Sequence, residues 1–297
     1  MLYDKHKMAG IGETVRTRVK GSIDMPEAMK YGQQEFEVKL PPELIAAELE
    51  PNRVDLPRRT VPEHIHYALE HPIDSKPLKE LVKPGETVCI VISDVTRRWQ
   101  SPETYIPILI EELESAGIRD EDMLIISATG THRQQTKEEH IGLVTQAVYD
   151  RIRLVDHQCT DEENLQYVGT TSRGTPVWLD KRALECDHII LTGGVVYHFM
   201  AGFGGGRKSI LPGICSQETV NENHSAKAIA RPLATTGVLH GNPIHEDMAY
   251  AARKVGLAFI LNVAMDAEKH IVAAFAGDCI QAHARGCAFV SDMCGVD

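Results

Sequence analysis

The sequence lacks long apolar runs, a secretory signal and an excess of positive charge. No apolar run approaches the roughly 18 residues of a membrane span, and the opening residues are charged from Asp4 onward, without an apolar stretch behind them. Lys and Arg number 31 against 42 Asp and Glu, a formal net charge of −11, which would repel a polyphosphate backbone. We therefore predict a cytoplasmic protein with neither a membrane nor a nucleic acid as partner.

Paired cysteines are also missing. The seven cysteines form no CxxC pair and are odd in number, which fits reduced thiols better than a disulfide framework. Hydrophobic residues make up 43% of the chain and charged residues 25%. These values are ordinary for a globular protein and exclude a disordered or collagen-like chain.

Apolar runs alternate with helical patterns from residue 82 onward, and this alternation is typical of parallel sheets. It predicts an α/β fold in which a mostly parallel sheet is flanked by helices, as in Rossmann-like domains. Strands are predicted at 88–92, 124–128, 152–155, 177–179, 188–192, 257–263 and 270–275, with an extended segment at 34–40. Helices are predicted within 102–117, 136–149, 216–228, 244–255 and 281–290.

The sequence ends without a strand to complete the last layer. We predict that residues 1–280 form an N-terminal domain that carries the chemistry. Residues 281–297 are expected to begin a linker to a second domain that this sequence does not contain.

Polar residues follow three of the predicted strands. Because parallel strands end at a common edge, we expect these residues to face one crevice. Two histidines on opposite sides of a substrate carbon could remove a proton from either face, since imidazole titrates near neutral pH. The residues are Asp94, Thr96, Arg97 and Arg98 after the first strand, His132 and Arg133 after the second, and Tyr197 and His198 after Gly193-Gly194.

Each of these residues also has a structural interpretation. A loop histidine is usually exposed or structural, and Asp94 fits an Asx turn or a helix cap. The arginines are either surface cations or ligands of a carboxylate or phosphate.

A glycine-rich stretch at residues 202–209 carries Arg207 where a P-loop needs its second glycine, which disfavours a nucleotide triphosphatase. Backbone N–H groups at Gly204, Gly205 and Gly206 could approach an anion closely, and a desolvated Lys208 would be nucleophilic. The alternative is an ordinary exposed lysine. His224, 16 residues further on, is either structural or a metal ligand.

Residues 197–214, from Tyr197 to Ile214, are similar to the hallmark segment of the nickel-dependent lactate racemase family. Asp94-x-Thr96-Arg97, Gly130-Thr131-His132-Arg133 and Asn223-His224 resemble the other motifs of that family, in the same order. The resemblance runs from about residue 80 to about residue 290, and it identifies the chain as the N-terminal domain of a two-domain family.

The resemblance implies a cofactor, the nickel pincer nucleotide, which is a pyridinium mononucleotide with two sulfur-bearing arms. It would be attached covalently to Lys208, and nickel would be held by a pyridinium carbon, two sulfurs and His224; soft sulfur ligands with one imidazole suit nickel. Further cofactor contacts would come from Asp94, Thr96, Arg97, Gly204, Gly205 and Gly206, and substrate contacts from Arg98, Arg133 and Tyr197.

The implied activity is racemisation or epimerisation of a small, lactate-like 2-hydroxy acid by proton-coupled hydride transfer, with His132 and His198 as the acid/base pair. Cofactor-biosynthesis proteins would be partners. Because the family has a second domain, we expect weak or no racemase activity from this chain alone. Two alternatives stay open: a cofactor-binding fragment without turnover, and an NAD-linked oxidoreductase, which the missing G-x-G-x-x-G after the first strand disfavours.

Overall fold

The computed structural model describes residues 27–31, 34–38, 41–44, 52, 54, 58–256 and 259–295. Residues 39–40 and 257–258, which the sequence analysis placed in extended segments, lie outside this description. The chain divides into two compact units, residues 1–54 with 292–297 and residues 55–291. The first unit contains an antiparallel pair, β1 (Glu27–Tyr31) and β2 (Gln34–Val38).

The second unit carries the alternating strands and helices that the sequence predicts. Its first half contains α1 (Val61–Glu70), α2 (Leu78–Leu81), β3 (Val88–Ser93), α3 (Pro102–Ser115), β4 (Met123–Ala128), α4 (Lys137–Val144), α5 (Gln146–Arg151), β5 (Arg153–Asp156), β6 (Leu165–Thr170), β7 (Pro176–Asp180) and α6 (Lys181–Leu184). Its second half contains β8 (His188–Gly194), β9 (Tyr197–His198), β10 (Gly202–Phe203), α7 (Gln217–Asn223), α8 (Ala226–Ile229), α9 (Pro243–Lys254), β11 (Phe259–Met265), β12 (Ile271–Asp278) and α10 (Gln281–Cys294).

Six strands form the central sheet, in the order β12-β11-β8-β3-β4-β5. The five strands from β11 to β5 are parallel, and β12 pairs antiparallel with β11 at one edge. From β3 the chain proceeds through β4 and β5 on one side, and β8 and β11 lie on the other. The crevice between β3 and β8 is therefore the switch point at which sheets of this kind bind ligands.

Strand β3 shows why the sheet is covered on both faces. Val88, Ile90 and Ile92 pack into a core with α1, α3 and α4, whereas Cys89 and Val91 pack on the opposite face with α7 and α9. Successive side chains of a strand point to opposite faces, so an unbroken apolar run needs helices on both sides. The α/β fold predicted from the sequence is confirmed.

Three predicted elements differ in detail. The helix expected over 136–149 is broken at Thr145, whose φ of 78° ends α4 and whose hydroxyl accepts the hydrogen bond of the Val148 N–H at the start of α5. The helix expected over 216–228 is interrupted at His224, which is the C-cap of α7. The strand at 177–179 lies in β7, which pairs with β6 in a separate hairpin rather than in the central sheet.

Residues 281–290 form the predicted helix, which extends to Cys294 as α10, although a linker was also expected to begin at residue 281. The α10 side chains His283, Cys287 and Val290 are buried, and Cys287 and Val290 pack with Phe203 of β10. Because residues up to 291 belong to the same compact unit as the sheet, the boundary expected at residue 280 falls inside this unit. Among the described residues, no helix is both long enough and apolar enough to cross a membrane.

Candidate active site

Three parallel strands deliver the predicted polar residues to one edge of the sheet. Strand β3 ends at Ser93, β4 at Ala128 and β8 at Gly194, and β3 is hydrogen-bonded to both of the others. Asp94, the loop that carries His132 and the hairpin that carries His198 follow directly. The prediction that these segments meet at one edge is therefore confirmed by the register of the strands.

His132 and Asp94 form a hydrogen-bonded pair at this edge. The Nδ1 atom of His132 lies 2.5 Å from Oδ2 of Asp94, and the other carboxylate oxygen accepts the Thr96 hydroxyl at 2.6 Å. Arg97 in turn donates from Nη1 to the same hydroxyl oxygen at 2.8 Å. The Asp94 side chain is 5% exposed and the His132 side chain 47% exposed, so the carboxylate is enclosed while the imidazole faces outward.

Gln135 holds the loops around this pair together. Its Oε1 accepts the N–H of Val95 at 2.6 Å, and its Nε2 donates to the Ser127 hydroxyl at 2.6 Å and to Oδ1 of Asp156 at 2.8 Å. These partners belong to the turn after β3, to β4 and to β5. One amide side chain therefore fixes the relative positions of three adjacent strand ends.

His198 lies in the β9–β10 hairpin, with its ring stacked on Phe199 at a centroid distance of 4.8 Å. Its Nδ1 accepts the backbone N–H of Ala201 at 3.2 Å and that of Met200 at 3.4 Å. The ring is thereby oriented by its own hairpin.

Four cationic or ionisable side chains act on His198. Burial first, and then the positive charges of Lys208, His224, Arg207 and Arg97, lower the pKa of His198 to about 4. His198 is therefore neutral at pH 7, and all four groups lie within electrostatic range of its ring. The charges that act on His198 thus place Arg97, Lys208 and His224 in its surroundings; their functional roles stay predictions.

The side-chain amine of Lys208 has no hydrogen-bond or ion-pair partner among the described residues. It lies in a short 3-10 turn, Gly206–Ser209, and is partly buried. Within the described parts of the chain, no side-chain hydrogen bond or ion pair involves its Nζ. Burial, followed by the charges of Arg207 and Arg97, lowers the pKa of Lys208 to about 7. A substantial fraction of the amine is then neutral and nucleophilic at neutral pH.

His224 presents a buried nitrogen that nothing in the described chain satisfies. Its Nδ1 is inaccessible and has no hydrogen-bond partner, while burial, followed by the charge of Lys208, lowers the pKa of the ring to about 4. Buried polar atoms are nearly always paired, so an orphan of this kind calls for an explanation such as an ion or ligand. A neutral imidazole nitrogen is a common metal ligand.

No group of three or more His, Cys, Asp or Glu side chains among the described residues could hold a metal. A metal at His224 would thus take its other ligands from outside this set of side chains. That condition fits a cofactor which brings its own donor atoms to the site.

The glycines at 204–206 serve close packing in this structure rather than forming an anion cradle. The N–H of Gly204 donates to the carbonyl of Val196, and that of Gly206 to Oδ1 of Asn262, each at 2.7 Å. A Cβ atom at Gly205 would lie 2.7 Å from the same Asn262 oxygen, and one at Gly206 would lie 2.8 Å from the His283 ring. Two of the three N–H groups proposed to bind an anion are therefore already engaged.

The contacts of three further predicted site residues are with other parts of the chain rather than with His132 or His198. These residues are Arg98, Arg133 and Tyr197. Arg133 forms a two-pronged ion pair with Glu139 at 2.6 and 2.8 Å, and the guanidinium carbon of Arg98 lies 3.0 Å from the position of a Cβ at Gly142 of α4. Tyr197 stacks on Phe203 at 4.9 Å. Their substrate-binding roles stay predictions, which none of these contacts supports.

The sequence analysis named Arg207 only as a departure from a P-loop and did not predict that this residue is fully buried. Its Nε donates to Nδ1 of His245 at 2.7 Å, and its Nη1 lies 2.9 Å from Nε2 of His283, which also lies 2.8 Å from the carbonyl oxygen of Gly204. It also donates to the backbone carbonyls of Ala201, Phe203 and Gly205 at 2.9, 3.2 and 3.3 Å. None of these acceptors carries a negative charge, so no carboxylate in the sequence pattern could have signalled the site.

The buried histidines predict a loss of stability in mild acid. Burial lowers the pKa of His198, His224 and His245 to about 4, 4 and 3, and that of His283 well below its usual value. Between about pH 6.5 and 4 the unfolded chain therefore binds more protons than the folded one, so the free energy of unfolding falls as the pH falls. Each such histidine contributes at most about 1.4 kcal/mol per pH unit. Urea unfolding at pH 7, 6 and 5 measures this, and equal stability at the three pH values would contradict it.

The fold and the site together define an α/β domain with ionisable side chains and a lysine of lowered pKa at the carboxyl edge of its sheet. The chain belongs to the lactate racemase N-terminal domain family, whose family model matches residues 31–237.

Two curated relatives are lactate racemases. That of Thermoanaerobacterium thermosaccharolyticum is 38% identical over 280 residues, which are 93% of this chain and 64% of the relative. That of Lactiplantibacillus plantarum is 41% identical over 234 residues, which are 79% of this chain and 55% of the relative. The chain thus spans less than two thirds of the length of either relative.

Solved structures agree with this assignment. The lactate racemase apoprotein from T. thermosaccharolyticum matches with a TM-score of 0.78 at 38% identity, over 90% of this chain and 62% of that one. A Thermotoga maritima protein matches with a TM-score of 0.67 at 24% identity, over 80% of this chain and 60% of that one. The second match supports the fold alone.

Proposed function

We propose that this chain is the cofactor-tethering and acid–base domain of a racemase or epimerase that acts on a lactate-like 2-hydroxy acid. The cofactor would be the nickel pincer nucleotide. Lactate racemases are the relatives to which the chain is similar, and the arrangement of Lys208, His224, His132 and His198 is compatible with that chemistry.

One observation carries the proposal. The amine of Lys208, whose pKa is lowered to about 7, lies within electrostatic range of His224, whose buried Nδ1 has no partner. An amine of this kind can form a covalent bond to a carbonyl-type carbon, and the orphan imidazole can bind nickel. Neither the Nζ of Lys208 nor the Nδ1 of His224 has a hydrogen-bond partner among the described residues.

The residues would divide the work as follows. Lys208 would tether the nucleotide and His224 would ligate the metal, and the cofactor, when bound, supplies the hydride chemistry that no side chain can provide. His132 and His198 would exchange the proton of the substrate hydroxyl. Arg97 uses Nη1 to bond Thr96, which leaves its other N–H groups for an anionic group of cofactor or substrate.

The substrate would be a small 2-hydroxy acid, and proteins that build the nucleotide would be partners. We propose a cytoplasmic location for this chain.

The test is the intact mass and metal content of the chain after production with and without the cofactor-building enzymes. We expect an adduct at Lys208 and stoichiometric nickel only when those enzymes are present. The variant His224→Ala should keep the adduct but lose the nickel, because the tether and the metal ligand are different residues. His270→Ala is the matched control, since that ring is 75% exposed and pairs only with Asp266 in the described chain.

An unmodified and metal-free parent chain under these conditions would overturn the proposal for this chain. An adduct at another lysine would overturn the assignment of Lys208 alone.

A further inference from the structure

Asp94 determines which ring nitrogen of His132 carries the proton. A carboxylate can only accept a hydrogen bond, and Oδ2 of Asp94 lies 2.5 Å from Nδ1 of His132. The second oxygen of Asp94 is occupied by the Thr96 hydroxyl, so the carboxylate is held in place. In the neutral ring the proton is therefore on Nδ1, and the lone pair is on Nε2.

His198 is set in the opposite sense by its own hairpin. Backbone N–H groups can only donate, and those of Ala201 and Met200 both point at Nδ1 of His198. Nδ1 must therefore carry the lone pair when the ring is neutral, and the proton is on Nε2. A proton on Nδ1 would face two N–H groups and lose both hydrogen bonds.

We propose that His132 and His198 hold opposite neutral tautomers, so that His132 is the resting proton acceptor and His198 the resting hydrogen-bond donor. This assigns Asp94 as a positioning residue for His132 rather than as a cofactor ligand. The inference rests on the proposed function for its role in catalysis, but the tautomers themselves are a property of the chain alone.

The proton transfer follows directly. When the hydroxyl O–H bond of the substrate breaks, its electron pair stays on oxygen and the proton goes to Nε2 of His132. The resulting imidazolium is stabilised by the Asp94 carboxylate on its other side. His198 can accept a proton at Nε2 only after solvent water has taken the proton from that nitrogen and delivered one to Nδ1. His132 and His198 are therefore unequal proton acceptors in the resting site.

The experiment is nitrogen NMR of the full chain without cofactor, produced with ¹⁵N-labelled histidine. Ring nitrogens with and without a proton differ strongly in chemical shift, and the signals are assigned by their loss in His132→Gln and His198→Gln. At a pH where the spectra show neutral rings, we expect protonated Nδ1 in His132 and protonated Nε2 in His198. The same tautomer in both rings would overturn the proposal.

The variant Asp94→Asn tests the cause. The amide has an N–H donor and no charge, so we expect His132 to lose its single tautomer and shift towards protonated Nε2, with His198 unchanged. The matched control is Glu86→Gln, since Oε2 of Glu86 lies 2.7 Å from Nε2 of His188 at the start of β8, the end of that strand far from the site, and its change should affect that ring instead. An unaltered His132 spectrum in Asp94→Asn would show that Asp94 does not set the tautomer.

If Asp94→Asn does not fold, the spectrum of the parent chain still decides the proposal. Failure here is separate from failure of the proposed function, because the spectra need neither adduct nor nickel.

Discussion

Lys208 is expected to react with an amine-selective acylating reagent at pH 7 far ahead of the exposed lysines. Burial and the charges of Arg207 and Arg97 lower its pKa to about 7, so about half of the amine is neutral there, against about 0.04% for a lysine of ordinary pKa. Partial burial slows access, and we therefore expect an advantage on the order of a hundredfold rather than the full ratio of the neutral fractions. Its labelling rate should rise as the pH rises and reach half its maximum near pH 7.

The measurement is peptide mapping by mass spectrometry after brief acylation between pH 6 and 9. Lys227, which is exposed, serves as the internal reference in the same digest. Lys208→Arg should abolish the early-labelled peptide and also the adduct that cofactor loading produces. If Lys208 is labelled only together with Lys227 as the pH rises, its amine is not activated.

Arg207→Met is expected to destabilise the fold by about 3 kcal/mol, a large effect for one substitution. The guanidinium is fully buried and donates to three carbonyls and to Nδ1 of His245. Removing it strands those acceptors, at about 1 kcal/mol or more each. The substitution also removes the cost of burying a charge that faces no carboxylate among the described residues, and this offsets part of the loss.

The free energy of unfolding from urea titrations measures the change. Arg207→Lys should be intermediate, because an ammonium keeps the charge but cannot reach all four acceptors. Arg285→Met is the matched control, since Arg285 is an exposed arginine on α10, the helix that carries His283, and it should change stability by less than about 0.5 kcal/mol. Equal stability of Arg207→Met and the parent would contradict this, because it would mean that the cost of burying the charge cancels the hydrogen bonds.

The fold was predictable because its signals are local. Apolar runs such as Val88–Ile92 need only their own residue types to indicate buried strands, and the helix of residues 102–115 is marked by apolar residues at helical spacing. The break at Thr145 was not predictable, since it depends on a positive φ that threonine rarely adopts. The packing of residues 281–290 could not be predicted either, because it depends on contacts with Phe203, which is distant in sequence.

The site was predictable only in part, for the same reason. Strand-end positions indicated that His132, His198 and Asp94 share an edge. The engagement of Gln135 with three strand ends and the burial of Arg207 depend on pairings across the fold. Such pairings cannot be predicted from the spacing of residues along the chain. The resemblance of residues 197–214 to a known family supplied roles for Lys208 and His224 that their local sequence alone left open.

The environment of Lys208 also implies that folding would precede the proposed attachment of the cofactor. Burial and two neighbouring guanidinium groups lower its pKa, and both exist only once the sheet and the turn at 206–209 have assembled. A nascent or misfolded chain presents at this position a lysine like any other, protonated at cellular pH. In the proposed attachment, the folded domain itself would therefore select one lysine, and an unfolded chain would not react at this position.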